Sequence, residues 1–180
     1  MSLFKSKGIV LKKKKLWEKE FLYTLFSYDF WKIDVMKKLS SKEKALDIGY
    51  DINFEIKHAK KNGISKIANI KILSEFDVKE KDFKTIQDYL WLIFRIYSKT
   101  EKNIPVYEIY NIINILNKKD ITREKICLTE LKLIDTFWEL PENHNDETMR
   151  KIFLFIRNNN IKDILRLSGI DNEKITILQQ

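Results

Sequence analysis

The residues best placed to do chemistry in this sequence are lysines, and the chemistry they point to is the holding of a polyanion. Lys12-Lys13-Lys14-Lys15 is an unbroken run of four. Adjacent ammonium groups repel one another, and a phosphate backbone relieves that repulsion while shedding its condensed counterions. Lys5, Lys7, Lys37, Lys38, Lys42 and Lys44 extend the same cluster, while Lys57, Lys60, Lys61 and Lys66 gather around Asn62-Gly63 as a second one. Contacts of this kind grip phosphates without reading sequence. Tyr23, Tyr28, Phe30, Trp31 and Tyr50 are interleaved with the lysines, and exposed rings stack on unpaired bases for about 1–3 kcal/mol each. Phe30 and Trp31, beside an expected turn and next to Lys32, are the preferred stacking residues. The bland alternative stands beside each: a solvated basic loop, and rings that fill a small core.

Charge distribution weighs on that choice. The chain of 180 residues has a net charge of +8. Residues 1–75 hold 17 Lys against 9 Asp plus Glu, so the whole surplus lies there; residues 76–180 hold 17 basic and 17 acidic residues. A lysine-rich genome would spread the excess over both halves. Its confinement to one segment makes a positive potential that attracts nucleic acid.

Catalytic constellations are poor by comparison. His58 and His144 are the only histidines and fall in different expected domains, so a metal triad is not expected, nor any cofactor. His58 reads as a strand surface residue and His144 as a loop residue. Cys127 alone cannot form an internal disulfide and sits in a helical pattern as a small apolar residue. Glu18 and Glu20 could share a face at a strand start, where balancing the lysines is the simpler role. No phosphate-binding glycine loop or nucleophile motif is present. An enzyme is not expected.

The elements that must position these residues change character once. Lys5–Lys12 is a short strand whose Gly8 marks a bulge or a close backbone approach. That strand would leave Lys12–Lys15 as a loop tip. Phe21–Tyr28 and Trp31–Met36 follow as strands around a turn at Asp29-Phe30. Tyr50, Ile52, Phe54 and Ile56 then alternate with Asp51, Asn53, Glu55 and Lys57, the period of a half-buried strand. Ala68, Ile70 and Ile72 alternate again after Asn62-Gly63, a hairpin signal. After Ser74 the period becomes helical. Phe83, Ile86, Leu90, Ile93 and Tyr97 share one stripe. Pro105 opens a second helix burying Ile109, Ile112, Ile113 and Leu116. Thr122 caps a third with Ile126, Leu131, Ile134 and Trp138, and Asp146 a fourth with Met149, Ile152, Phe153 and Ile156. A last helix from Ile161 to Ser168 ends at Gly169. The fold class expected is α+β in two parts: a five-stranded OB-type β-barrel over 1–75 followed by an all-α helical domain over 76–180.

One stretch resembles a known family. Lys7-Gly8-Ile9-Val10-Leu11-Lys12, then Glu18-Lys19-Glu20-Phe21-Leu22-Tyr23-Thr24-Leu25-Phe26-Ser27, then Trp31-Lys32-Ile33 is similar to the opening of the DNA repair protein RecO family. Gly8 to Leu11, Glu18, Thr24-Leu25-Phe26 and Lys32-Ile33 match the family pattern directly. Leu131-Lys132-Leu133 before Pro141 resembles the helix that precedes the family's zinc-binding insert. Trp31 departs from it, standing where the family prefers Gly, and the Cys-x-x-Cys pairs of zinc-containing members are absent. The match is sharp over about 30 residues.

The resemblance implies a non-catalytic accessory role in recombinational repair. It implies binding to single- and double-stranded DNA, strand annealing, and work with a RecR-like protein and the tail of single-strand-binding protein. A protein-interaction adaptor and an RNA-binding OB module are the other readings. The longest apolar stretch, Tyr89 to Phe94, is too short to span a membrane, and the start carries no apolar leader. A cytoplasmic protein is expected.

Overall fold

The computed structural model describes residues 3–59, 63–79, 81–101, 107–117, 121–137 and 139–170. Lys60, Lys61, Asn62, Pro105 and Trp138, to which the sequence assigns roles, lie outside them. Compactness divides the chain into two units, Met1–Glu80 with Ile93–Lys119, and Lys81–Leu92 with Asp120–Gln180. The change of period after Ser74 places a single boundary, whereas the compact units exchange chain three times.

In the first unit five strands close into a barrel: β1 (Leu3–Trp17), β2 (Glu20–Ser27), β3 (Trp31–Lys38), β4 (Asp51–Lys57) and β5 (Ser65–Ser74), in the order β1-β2-β3-β5-β4. All pairs are antiparallel except β3 with β5. Val10, Tyr23, Leu25, Val35, Ile52, Phe54, Ile56 and Ile67 fill the interior. Leu46, from the loop after β3, joins them, and its backbone N–H donates to the Tyr23 hydroxyl at 3.2 Å. Gly8 is required by a close approach of backbone. A Cβ there would stand 2.9 Å from the carbonyl oxygen of Phe26 and 3.1 Å from Cα of Ser27.

Three expectations are corrected here. Lys12–Lys15 is not a loop tip. β1 keeps pairing with β2 through Lys15↔Phe21 and Trp17↔Glu20, so the turn is reduced to Glu18-Lys19. Ala68, Ile70 and Ile72 do not share the inner face of β5. Asn69 adopts a left-handed φ of 48°, and a register shift there puts Ile67 and Ile70 against the core while Ala68 and Ile72 are exposed. An extra residue in one strand reverses the parity of everything beyond it. Finally, Asp51 belongs to the outward set by alternation, yet it is buried and accepts a 2.8 Å hydrogen bond from the hydroxyl of Tyr110.

Tyr110 lies on α2 (Tyr107–Leu116), which buries Ile109, Ile112, Ile113 and Leu116 as its spacing predicts and packs on β1. Burial, with the Asp51 carboxylate next, pushes the Tyr110 phenol far above its usual range. α1 (Phe83–Lys99) departs from its expected stripe. It buries Thr85, Tyr89, Leu92, Ile93 and Ile96, and leaves Phe83, Leu90, Trp91 and Phe94 about half exposed or more. With apolar residues all around the helix, periodicity could not select the inner face.

The described secondary-structure elements of the second unit are helices. α3 (Arg123–Thr136) starts at Thr122, whose hydroxyl accepts from the N–H of Lys125 at 3.3 Å. α4 (Glu147–Asn158) starts at Asp146, which accepts from Met149 at 2.9 Å. Both caps are where the sequence places them. α5 (Ile161–Ile164) is shorter than expected, and Gly169 takes its positive φ of 85° in the segment beyond it. Leu128, Leu131, Leu140, Met149, Phe153, Ile156 and Ile164 form this unit's core. No described helix is long and apolar enough to cross a membrane.

Candidate nucleic-acid interface

The barrel sorts the lysines by strand register. On the outer wall made by β1, β4 and β5, Lys7 stands opposite Asn53, which stands opposite Lys71. One step along, Lys5 faces Glu55, which faces Ala68; at the next, Leu3 faces Lys57, which faces Lys66. Outward residues of a sheet recur about 7 Å along a strand and about 4.8 Å across it. The result is a lattice of five ammonium groups carried by rigid backbone. Lys57 and Lys66, both exposed, are directly opposed like charges, an arrangement that costs stability unless an anion lies between them.

Only one carboxylate interrupts these rows. Glu55 keeps 19% side-chain exposure, lies 4.0 Å from the Lys5 ammonium, and accepts 2.6 Å from the Asn69 amide. Around it is a cleft of about 400 Å³ lined by Lys5, Lys7, Asn53, Glu55, Asn69 and Asp29, among others. Asp29 is engaged, accepting from the hydroxyl of Ser6 at 2.6 Å. Lys7 lies over the rings of Tyr28 and Tyr110, 4.7 and 5.7 Å from their centres. A ring face holds a cation without neutralising it.

The remaining candidates are distributed otherwise. Lys12 donates to the Tyr97 hydroxyl at 3.0 Å, and Lys32 donates to the carbonyls of Tyr97 and, at 2.6 Å, Thr100. Both ammoniums also lie over the Tyr97 ring, at 4.7 and 4.5 Å. These two lysines hold the C-terminal end of α1, where a cation is favoured by the unpaired carbonyls. Lys13 is ion-paired with Asp47, and Lys37 with Glu43 at 2.9 Å, so that both fasten the loop carrying Leu46. The Ser40 backbone N–H and then Lys37 bring the Glu43 carboxyl down to about 2. Lys14, Lys15, Lys38, Lys42 and Lys44 are exposed on the other side of the strand order, near Leu22 and Met36 in register or in the loop after β3. Lys60 and Lys61 lie outside the described residues.

Aromatic side chains divide likewise. Tyr23 is wholly buried, and Tyr50 packs partly buried on the same core. Phe30 is partly buried against the core, with Phe4 and His58 edge-on at 6.3 and 5.2 Å. Trp31, half-buried, holds φ at 58° and lines a crevice with Tyr28, Tyr107 and Tyr110. On the strands the exposed rings are Phe4, 45% accessible, and Trp17, 74% accessible at the end of β1; Phe83, Trp91, Phe94 and Tyr107 are exposed on the helices.

Sequence reading missed Lys71, Asn53, Asn69 and Glu55 as parts of one surface. The alternation already put Asn53 and Glu55 outward beside Lys57. The pairing with β5 past its bulge, which decides the neighbours, has no local signature. Elsewhere, His144 accepts from the N–H of Asp146 at 3.0 Å, and burial pushes the Cys127 thiol up to about 12, leaving it unreactive. Among the described residues no group of three or more His, Cys, Asp or Glu could hold a metal.

No protein-family model matches this sequence, and no curated protein matches it.

Proposed function

We propose that this chain is a RecO-like DNA-binding protein that holds single and double strands on an OB-type barrel, without catalysis, and promotes annealing. The lysine lattice on the outer wall of β1, β4 and β5 carries this reading. It presents Lys7, Lys57, Lys66 and Lys71, without an ion pair among the described residues, on paired strands at regular spacing, which is what a phosphate backbone requires. OB identity is supported by the path of the chain, which leaves β3, pairs β4 beside β1, and returns as β5 between β4 and β3. Kinship with RecO is supported at Trp31. Its φ of 58° is the left-handed conformation that suits the Gly which that family prefers at this position. Cooperation with a RecR-like partner and with the single-strand-binding protein tail belongs to the same proposal. So does a cytoplasmic location.

The test is fluorescence anisotropy with labelled single strands at low and moderate salt, with RNA of equal length as competitor. Binding that weakens steeply with salt is expected; negligible binding at low salt overturns the proposal. A protein-interaction adaptor is the second reading, favoured by the exposure of Phe83, Leu90, Trp91 and Phe94 on α1. A stable protein complex with no DNA affinity is its signature.

A further inference from the structure

A carboxylate in the middle of a cationic wall works against phosphate binding, and Glu55 is such a group. It is the one acid among the outward positions of the β1–β4–β5 rows. Its two polar neighbours do not neutralise it fully, since Asn69, which donates the hydrogen bond, is uncharged and the ion-paired Lys5 stands 4.0 Å away. It opens onto the roughly 400 Å³ cleft, flanked there by the amides of Asn53 and Asn69. Lys5 and Lys7 line that cleft together with Asp29, while Lys57, Lys66 and Lys71 occupy the neighbouring register positions of β4 and β5. Asn69, in the left-handed region, donates to Glu55 at 2.6 Å, so the carboxylate is oriented while remaining partly accessible.

We infer that Glu55 is a base-reading residue, and that the cleft accepts the Watson–Crick edge of an unpaired guanine while the lysines hold the flanking phosphates. The inference rests on the nucleic-acid reading above and names its ligand more narrowly. Guanine alone among the four bases offers two adjacent donors on that edge, its ring N1–H and its exocyclic amino group, which one carboxylate accepts together. Thymine presents one N–H between two carbonyl oxygens, which the carboxylate repels. Adenine and cytosine present an amino group beside a ring nitrogen lone pair. In a duplex the edge is occupied by its partner, so this contact is available only on a single strand.

The experiment uses the full chain and a short oligothymidine carrying one central guanine, inosine, adenine, cytosine or thymine, titrated by anisotropy. Wild type is expected to bind the guanine oligomer at least about fivefold more tightly than the thymine one, the low end for one bidentate base contact. Inosine, which lacks the amino group, should fall between. Glu55→Gln should abolish the guanine preference and at the same time tighten binding to plain oligothymidine, because an acid leaves the wall. A residue that merely holds Lys5 and Asn69 in place would, when replaced, weaken all five oligomers alike. That outcome overturns the inference, as does equal wild-type affinity for all central bases, and both leave the DNA-binding proposal standing. Failure to bind any of the oligomers at low salt removes both together. A thermal melt of Glu55→Gln verifies that the barrel is intact.

Discussion

Replacing Lys57, Lys66 and Lys71 with alanine is expected to remove a defined part of the salt dependence of single-strand binding. These three lysines project from adjacent strands on one wall and have no ion pair among the described residues. Each phosphate neutralised on a single strand contributes about −0.7 to the slope of log affinity against log salt. Loss of three contacts should therefore flatten the slope by about 2. Between about 50 and about 200 mM salt, that amounts to roughly 15-fold in how much binding changes. The assay is an anisotropy titration at four salt concentrations, comparing wild type, the triple variant, and a control triple of Lys14, Lys38 and Lys44. The stability check runs in the informative direction. Since Lys57 and Lys66 face each other, their removal should relieve about 0.2–1 kcal/mol, so Tm should not fall. An unchanged slope, or an equal loss in the control, would refute the assignment of the β1–β4–β5 wall.

Three further outcomes follow from the barrel. Trp31→Gly should be more stable than Trp31→Ala by about 1 kcal/mol in chemical unfolding, because both lose the indole but only glycine relaxes at a φ of 58°. Tyr110→Phe should cost about 1–3 kcal/mol by leaving the buried Asp51 carboxylate short of its donor, with Asp51→Asn recovering part of the loss. Tyr23 and Tyr110 have folded phenol values raised above the unfolded one, by burial first in each case. Their contribution is whole below the unfolded value near 10 and is lost as pH rises through it toward the folded values. Alkaline titration should show these two of the seven tyrosines ionising only together with unfolding, read by tyrosinate absorbance against circular dichroism.

Much of the barrel was legible because its strands obey the period of two. Tyr50 to Lys57 declares its faces residue by residue, and only Asp51 escapes, since its partner Tyr110 lies 59 positions away. The helix caps Thr122 and Asp146 were legible for the same reason: their bonds reach only three residues. What failed depends on non-local pairing. The lysine run Lys12–Lys15 looks like a loop because four charges in a row suggest solvent on every side. Yet β2 pairs across it, and two of its members are claimed by Tyr97 and Asp47. The stripe of α1 was misassigned because Phe83 and Leu90 are as apolar as Leu92 and Ile96; composition could not tell which the core would take. The interface was half legible. Its cations were countable, but their arrangement as rows needed the register and the bulge at Asn69.

The barrel is a ring with one short joint. Between β3 and β5, register is recorded for just Val35↔Ser65 and Met36↔Lys66 among the described residues, whereas β2 and β3 pair over eight positions. If that joint parts, the ring becomes a curled ribbon with two raw margins able to pair with another molecule's strand. Both margins carry lysine: Lys37 and Lys38 on β3, Lys66 and Lys71 on β5. Such residues discourage strand-to-strand adhesion. The basic character of this barrel therefore also serves as insurance against clumping whenever it breathes.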